Sequence, residues 1–167
     1  MKIRTSFVTN SSSSSFIVAW PAKIMTIADV EKFIDIKYAN TVYNDAKQQK
    51  PFRKNSKDSL KQISSEITTG YLPDVDYDVV KAKICTRENV TKEEISNNIL
   101  WSKQFYKQLD IEANNCAYVK AQSFLEELDD NYYIYIFEYS DSDGSYFSEM
   151  EHGEIFSKLP YIRVNKH

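Results

Sequence analysis

Apolar and polar positions follow a period of two near both ends of this chain and a period close to 3.6 through much of its middle. Residues 2–8 set Ile3, Thr5 and Phe7 against Lys2, Arg4 and Ser6, the pattern of a half-buried strand. Residues 16–20 are continuously apolar and predict a more deeply buried strand. Residues 132–139 are rich in aromatic and β-branched side chains, which suit a pleated surface. Tyr133, Tyr135 and Phe137 fall on one face there, and Tyr132, Ile134, Ile136 and Glu138 on the other. Both faces are mostly apolar, so this strand is expected in the middle of a sheet. Residues 161–164 supply a last strand.

Helices are expected in between. Thr26 with Asp29 has the spacing of a capping box, and Ile27, Val30, Ile34 and Tyr38 continue as one helical stripe toward Ala46. Residues 48–57 read as a basic loop around Pro51. Asp58 or Ser59 opens a short helix through Leu60, Ile63 and Ile67 that stops at Gly70. Residues 79–84 alternate and predict a strand. Thr91 with Glu94 makes a stronger capping box, ahead of Ile95, Ile99, Ser102, Tyr106 and Leu109 on one stripe. A separate helix is expected over 117–128, a turn over 140–144, and one or two helical turns within 149–159 before Pro160. Strands toward the ends with helices between them predict an α+β fold. Its single small, mainly antiparallel sheet would be built from N-terminal and C-terminal strands and covered by several helices, in one globular domain over 1–167.

The most unusual local feature is Asn10 followed by Ser11, Ser12, Ser13, Ser14 and Ser15, held between apolar segments. Read as a loop joining two strands, this run is long for a hairpin connection. Three roles stay open. Its hydroxyls and backbone N–H groups could form a nest for an anion. They could satisfy an awkward turn locally. They could also accept a modifying group.

Composition narrows the classes. The chain has 167 residues, 42% of them hydrophobic and 14% aromatic, with a formal net charge of -3, so an ordinary core is expected and disorder is not. With 3 glycines in all, no glycine-rich phosphate loop is present. Cys85 and Cys116 are the only cysteines, which rules out a disulfide framework, and only His152 and His167 could join them at a zinc ion. The apolar runs are too short for a membrane span or a signal sequence, so a cytoplasmic protein with no membrane partner is expected.

Charge is uneven. Residues 1–70 hold 11 Lys/Arg against 6 Asp/Glu, whereas 71–167 hold 10 against 18. No Lys or Arg occurs between Lys120 and Lys158. This acidic stretch is a candidate surface for a basic partner. Lys47, Lys50, Arg53, Lys54 and Lys57 lie around Phe52, but a solvated loop explains them, and nucleic acid is disfavoured as a partner.

Candidate chemistry concentrates near the C-terminus. Asp141-Ser142-Asp143-Gly144 has the core of a calcium-loop pattern, yet that register puts Tyr139 and Met150 where oxygen ligands are required, so the EF-hand reading fails. Asp141 and Asp143 remain candidate ligands of a divalent metal. Glu151 beside His152 is a candidate acid/base pair.

The segment Thr5-Ser6-Phe7-Val8-Thr9-Asn10 with the serines and Phe16-Ile17-Val18 resembles the opening F-V-S-N-S-S-S-S-S-F of a group of small, uncharacterised bacteriophage and bacterial proteins. The tail is similar to theirs: an acidic turn ending in Gly144, then Glu151-His152-Gly153, Phe156, Leu159-Pro160 and Lys166-His167. Thr9, Tyr161 and Asn165 depart from that pattern, where the group has Ser, His and Ser. The missing histidine at 161 weakens an acid/base or metal role for this tail. The resemblance implies a phage accessory protein working in the host cytoplasm and supplies no reaction. The expectation from sequence is therefore a pocket for a phosphate-bearing ligand such as a nucleotide, held with or without a divalent metal. Asn10, Ser11, Ser12, Ser13, Ser14, Ser15 and His167 would bind it, Asp141 and Asp143 would hold the metal, and Glu151 and His152 would move protons if a reaction occurs. The alternative is a non-enzymatic protein that binds a host factor through 121–157.

Overall fold

The computed structural model describes residues 12–70, 75–97 and 99–166. Its strands are β1 (Ser13–Trp20), β2 (Phe52–Arg53), β3 (Tyr133–Ser140) and β4 (Tyr161–Lys166), and they form one sheet in the order β2-β3-β1-β4. Every pairing is antiparallel. The helices are α1 (Ile27–Glu31), α2 (Ile36–Gln48), α3 (Ser59–Thr68), α4 (Tyr77–Glu88), α5 (Lys92–Asn97), α6 (Ile99–Glu126) and α7 (Ser145–His152). This is an α+β fold with a single antiparallel sheet, as the sequence pattern predicts. The chain groups into two compact units: the described residues up to Lys54 together with those from Leu128 onward, and Asn55–Glu127.

The first unit holds the sheet with α1, α2 and α7. β1 lies between β3 and β4, with Ser14 opposite Tyr139 and Asn165, and Phe16 opposite Phe137 and Arg163. Because side chains alternate along a strand, Ser14, Phe16, Val18 and Trp20 share one face with Tyr135, Phe137 and Tyr139. That face packs on Val30 and Ile34, on Ala39, Val42 and Ala46 of α2, and on Met150 and Phe156. The rings form a nearly continuous stack, with Phe137 parallel to Phe156 at 5.1 Å and to Tyr135 at 6.0 Å. The opposite face buries Ile17, Ala19, Ile134 and Val164. β2 is only two residues long, and beyond it the Ile136 N–H is met by the Gln49 side chain at 2.9 Å instead of a strand partner.

Several expectations are corrected. The serine run is not a loop over its described part: Ser13, Ser14 and Ser15 are the first residues of β1, and Ser14 and Ser15 are fully buried. Serine reads as a loop former when isolated, but here both neighbouring strands satisfy its backbone. The strand expected over 2–8, and with it Asn10 and Ser11, lies outside the described residues. The stripe from Ile27 to Ala46 is two helices. α1 has the capping box expected of Thr26 and Asp29, and Asp35 then caps α2 by accepting from the Lys37 N–H at 2.8 Å.

The second unit is helical. The strand expected over 79–84 is part of α4, which Asp76 caps by accepting from the Asp78 and Val79 N–H groups. Val80 and Ile84, four apart, are the buried positions, so the 3.6 period overrides the apparent alternation. Asn89 ends α4 in the left-handed conformation, where asparagine is tolerated (φ 54). The Thr91–Glu94 capping box is present in both directions, at 2.7 and 3.2 Å. The two helices expected after it are instead the short α5 and a single α6 of 28 residues, which runs through residue 117 without a break.

Candidate functional site

The sheet register fixes the site. Asp141 follows the last residue of β3, and its N–H meets the Ser12 carbonyl at 3.3 Å, extending the β1–β3 pairing by one step. Residues 141–143 then make a single 3-10 turn. Gly144, with φ 107, reverses the chain into α7, a conformation that essentially only glycine adopts cheaply. α7 is short and amphipathic. Met150 and Glu151 face inward, and His152 on the last turn faces outward.

Glu151 is fully buried, and its carboxylate is the centre of the cluster. Oε1 accepts from the Ser14 hydroxyl at 3.3 Å, and Oε2 accepts from the Asp141 N–H at 2.9 Å. Ser14 has further partners: Arg163 Nε and Nη2 both donate to its oxygen at 3.3 Å, and Asn165 Oδ1 lies 3.2 Å away. A hydroxyl carries one proton, so Ser14 donates to the carboxylate or to Asn165 but not to both at once. The charged acceptor is the stronger partner. Ser14 thereby links the Arg163 cation to the Glu151 anion. The Arg163 guanidinium also lies over the Phe16 ring at 5.8 Å.

His152 sits at the mouth, with its side chain 54% exposed. Its Nε2 is 3.8 Å from Glu151 Oε2, and its Nδ1 is 3.5 Å from Arg163 Nη2. Arg163 can only donate, so that contact is a hydrogen bond in the tautomer that leaves Nδ1 bare. Asp141 accepts the Ser12 hydroxyl on Oδ2 at 3.0 Å, while its Oδ1 is buried with no hydrogen-bond partner. Ligand atoms of Asp141, Glu151 and His152 all lie within 4.8 Å of one another. Donors 2.0–2.6 Å from a shared cation stand roughly 3–5 Å apart, so these three fit one divalent ion with slight closure.

The structure thus joins Ser12, Ser14, Asp141, Glu151 and His152, which the sequence singles out. Ser13 lies in β1 opposite Ser140 and Lys166, on the other face from Ser14. Ser15 is on that other face too, its hydroxyl buried and unpartnered. Asp143 is exposed and does not converge with the trio. Asn10, Ser11 and His167 lie outside the described residues. Arg163 and Asn165 are the residues that sequence reasoning missed. They alternate onto one face of β4, but only the register with β1 reveals that this is the Ser14 face.

Comparison with protein-family models, with curated proteins and with solved structures returns no match. Function has to be argued from this geometry alone. Two roles foreseen for the serines are altered by it. Ser12 and Ser14 donate into carboxylates, so neither hydroxyl is free to hold an anion, and burial of Ser14 and Ser15 keeps a modifying enzyme away from them. The acidic stretch is also less bare than it reads: Asp130 pairs with Lys54, Glu138 with Lys166 and Glu149 with Lys37. Among the described residues no helix is long and apolar enough to cross a membrane.

Proposed function

We propose that this protein is a phage-type accessory protein that binds a divalent cation at Asp141, Glu151 and His152 and, through that cation, a phosphate-bearing ligand such as a nucleotide. The observation that carries the reading is the buried, unpartnered Asp141 Oδ1 beside a second carboxylate and an imidazole. A buried carboxylate oxygen without a partner is costly, and a cation removes that cost. The mixed oxygen and nitrogen donors suit manganese or zinc as well as magnesium.

Arg163 supports the second half. Among the described residues its Nη1 has no hydrogen-bond partner, and the guanidinium is held beside the trio by Ser14 and the Phe16 ring. A cation and a guanidinium side by side bind phosphate oxygens strongly. The role foreseen for the serines therefore passes to Arg163, and Ser12 and Ser14 become positioning residues. Whether a reaction follows depends on His152, the exposed group that could exchange a proton with a ligand.

Calorimetry tests this in two steps. Manganese alone should give saturable one-to-one binding, and a nucleotide panel should then bind only in its presence. Failure of manganese, magnesium and zinc to bind overturns the reading. The alternative, a basic host factor docking on 121–157, draws less support, because lysines of this chain already pair with Asp130, Glu138 and Glu149.

A further inference from the structure

Ser14 stands between two oxygens with a single proton to give. Its own oxygen is 3.3 Å from Glu151 Oε1 and 3.2 Å from Asn165 Oδ1, and Arg163 Nε and Nη2 both donate to it at 3.3 Å. The two Arg163 N–H groups belong to one edge of a planar guanidinium and arrive from one side. What remains to the hydroxyl is its proton and a lone pair, set against a carboxylate oxygen and an amide oxygen. Whichever oxygen the proton leaves then faces the lone pair, and that contact is repulsive. The two oxygens differ in how they can respond. Glu151 is fully buried, and its carboxylate can only accept. Asn165 is exposed, and its amide accepts through Oδ1 or, turned over, donates through Nδ2. Among the described residues the Asn165 side chain makes no hydrogen bond other than the one with Ser14, so no other partner opposes that turn.

We infer that Asn165 is a positioning residue for the cation site. It takes up the Ser14 hydroxyl as a cation discharges Glu151, so Ser14 releases the carboxylate without leaving its own proton unsatisfied in the core. The carbonyl of Asn165 already faces Ser14, which is the orientation that receives the proton. A free carboxylate competes strongly for that proton; one whose charge a cation has taken up does not. Without the cation the hydroxyl donates to Glu151, and the amide is better served with its NH2 toward Ser14. The Ser14 oxygen accepts from Arg163 in both states, so the guanidinium stays beside the trio throughout. A buried donor with no acceptor is costly, and Asn165 removes that cost from the loaded state. This inference rests on the reading of Asp141, Glu151 and His152 as a cation site and names the residue that tunes its affinity.

Titration calorimetry with manganese chloride is the test, on the native protein, Asn165→Leu, Ser14→Ala and the double variant. Leucine has nearly the shape of asparagine and accepts nothing. Asn165→Leu should weaken manganese binding about tenfold, because the Ser14 hydroxyl is left with only the carboxylate to donate to. The urea midpoint of the cation-free variant should match the native one, since Glu151 remains the acceptor there; a merely structural residue would move the midpoint and leave affinity alone. In the Ser14→Ala background the same substitution should change manganese affinity by less than about twofold, because Asn165 acts through the hydroxyl. Affinity set against midpoint in Asn165→Leu decides the matter even where Ser14→Ala does not fold. Native affinity in Asn165→Leu, or an equal loss with and without Ser14, overturns the role of Asn165 and leaves the cation site standing. Failure of the native protein to bind manganese, magnesium or zinc overturns the cation site, and this role with it.

Discussion

Ser14 and Glu151 are 137 positions apart, and the serine hydroxyl donates to the carboxylate at 3.3 Å inside the core. Both residues are fully buried; Glu151 is satisfied by Ser14 and the Asp141 N–H, and Ser14 by Glu151, Asn165 and Arg163. Ser14→Ala removes the donor to Glu151 and the acceptor of two Arg163 N–H groups together. It should cost about 1–3 kcal/mol, read as a lower urea midpoint at unchanged slope. Combining it with Glu151→Gln should be non-additive, with a coupling of about 0.5–3 kcal/mol, since the two side chains share one interaction. Additive losses would mean that the hydroxyl and the carboxylate act independently.

The cation reading makes a separate prediction about thermal unfolding. Manganese at about 100 times its dissociation constant should stabilise the fold by about 2.7 kcal/mol, and a chelator should reverse the shift in melting temperature. Asp141→Asn and His152→Ala should abolish the shift. Asp143→Asn should retain it, because Asp143 is exposed and lies outside the converging trio. Loss of the shift in Asp143→Asn alone would move the site to the 3-10 turn.

A pH dependence follows from α2. Tyr139 donates to Asp45 Oδ2 at 3.2 Å, and burial raises the Asp45 carboxyl above its ordinary 3.8 despite that bond. Burial also pushes the Tyr139 phenol far up, with Asp45 adding to it, so the ring stays a donor at any working pH. With the folded value above the unfolded one, the native state holds the extra proton in the window just above 3.8, and stability from this group falls as pH rises through that window. Asp45→Asn keeps an acceptor for Tyr139 and never ionises. Urea unfolding from pH 3.5 to 7 should show the variant gaining on the native protein as pH rises. A gap that is constant across that range would refute the assignment.

The sheet is legible in the sequence where alternation or continuous apolarity is unambiguous. Residues 16–20 and 161–164 lie within strands, the expected strand over 132–139 is β3 shifted by one residue to Tyr133–Ser140, and the two faces of β3 divide as their spacing indicates. Ser13, Ser14 and Ser15 are illegible as strand because serine is buried here only by virtue of cross-strand neighbours that are far away in the chain. Residues 79–84 misled because Val79, Lys81 and Lys83 alternate locally, while Val80 and Ile84 carry the burial at helical spacing. The site divides the same way. Asp141, Glu151 and His152 are recognisable by residue type and nearness in sequence. Arg163 and Asn165 reach it only through a β1–β4 register, which depends on tertiary structure.

Two glycines bracket α7, and they should resist substitution for different reasons. Gly144 has φ 107, but a Cβ there would meet nothing within 4 Å. Gly144→Ala should therefore cost only the backbone strain of a left-handed residue with a side chain, about 1–3 kcal/mol, and larger residues should cost about the same because the space is open. Gly153 has an ordinary φ of -79, yet a Cβ there would lie 2.4 Å from the Glu149 carbonyl oxygen, which accepts the Gly153 N–H at 2.7 Å. That oxygen is backbone and cannot swing away, so Gly153→Ala must shift the last turn of α7. The overpacking should cost about 1–3 kcal/mol. The two effects separate at the site: Gly153→Ala displaces the turn carrying Glu149 and His152 and should weaken manganese binding in the folded protein. Gly144→Ala strains the entry to α7 and should lower stability with less loss of affinity for the ion. Calorimetry on both folded variants at 10–15 °C checks the split, and equal affinity losses would show that α7 moves as one rigid piece.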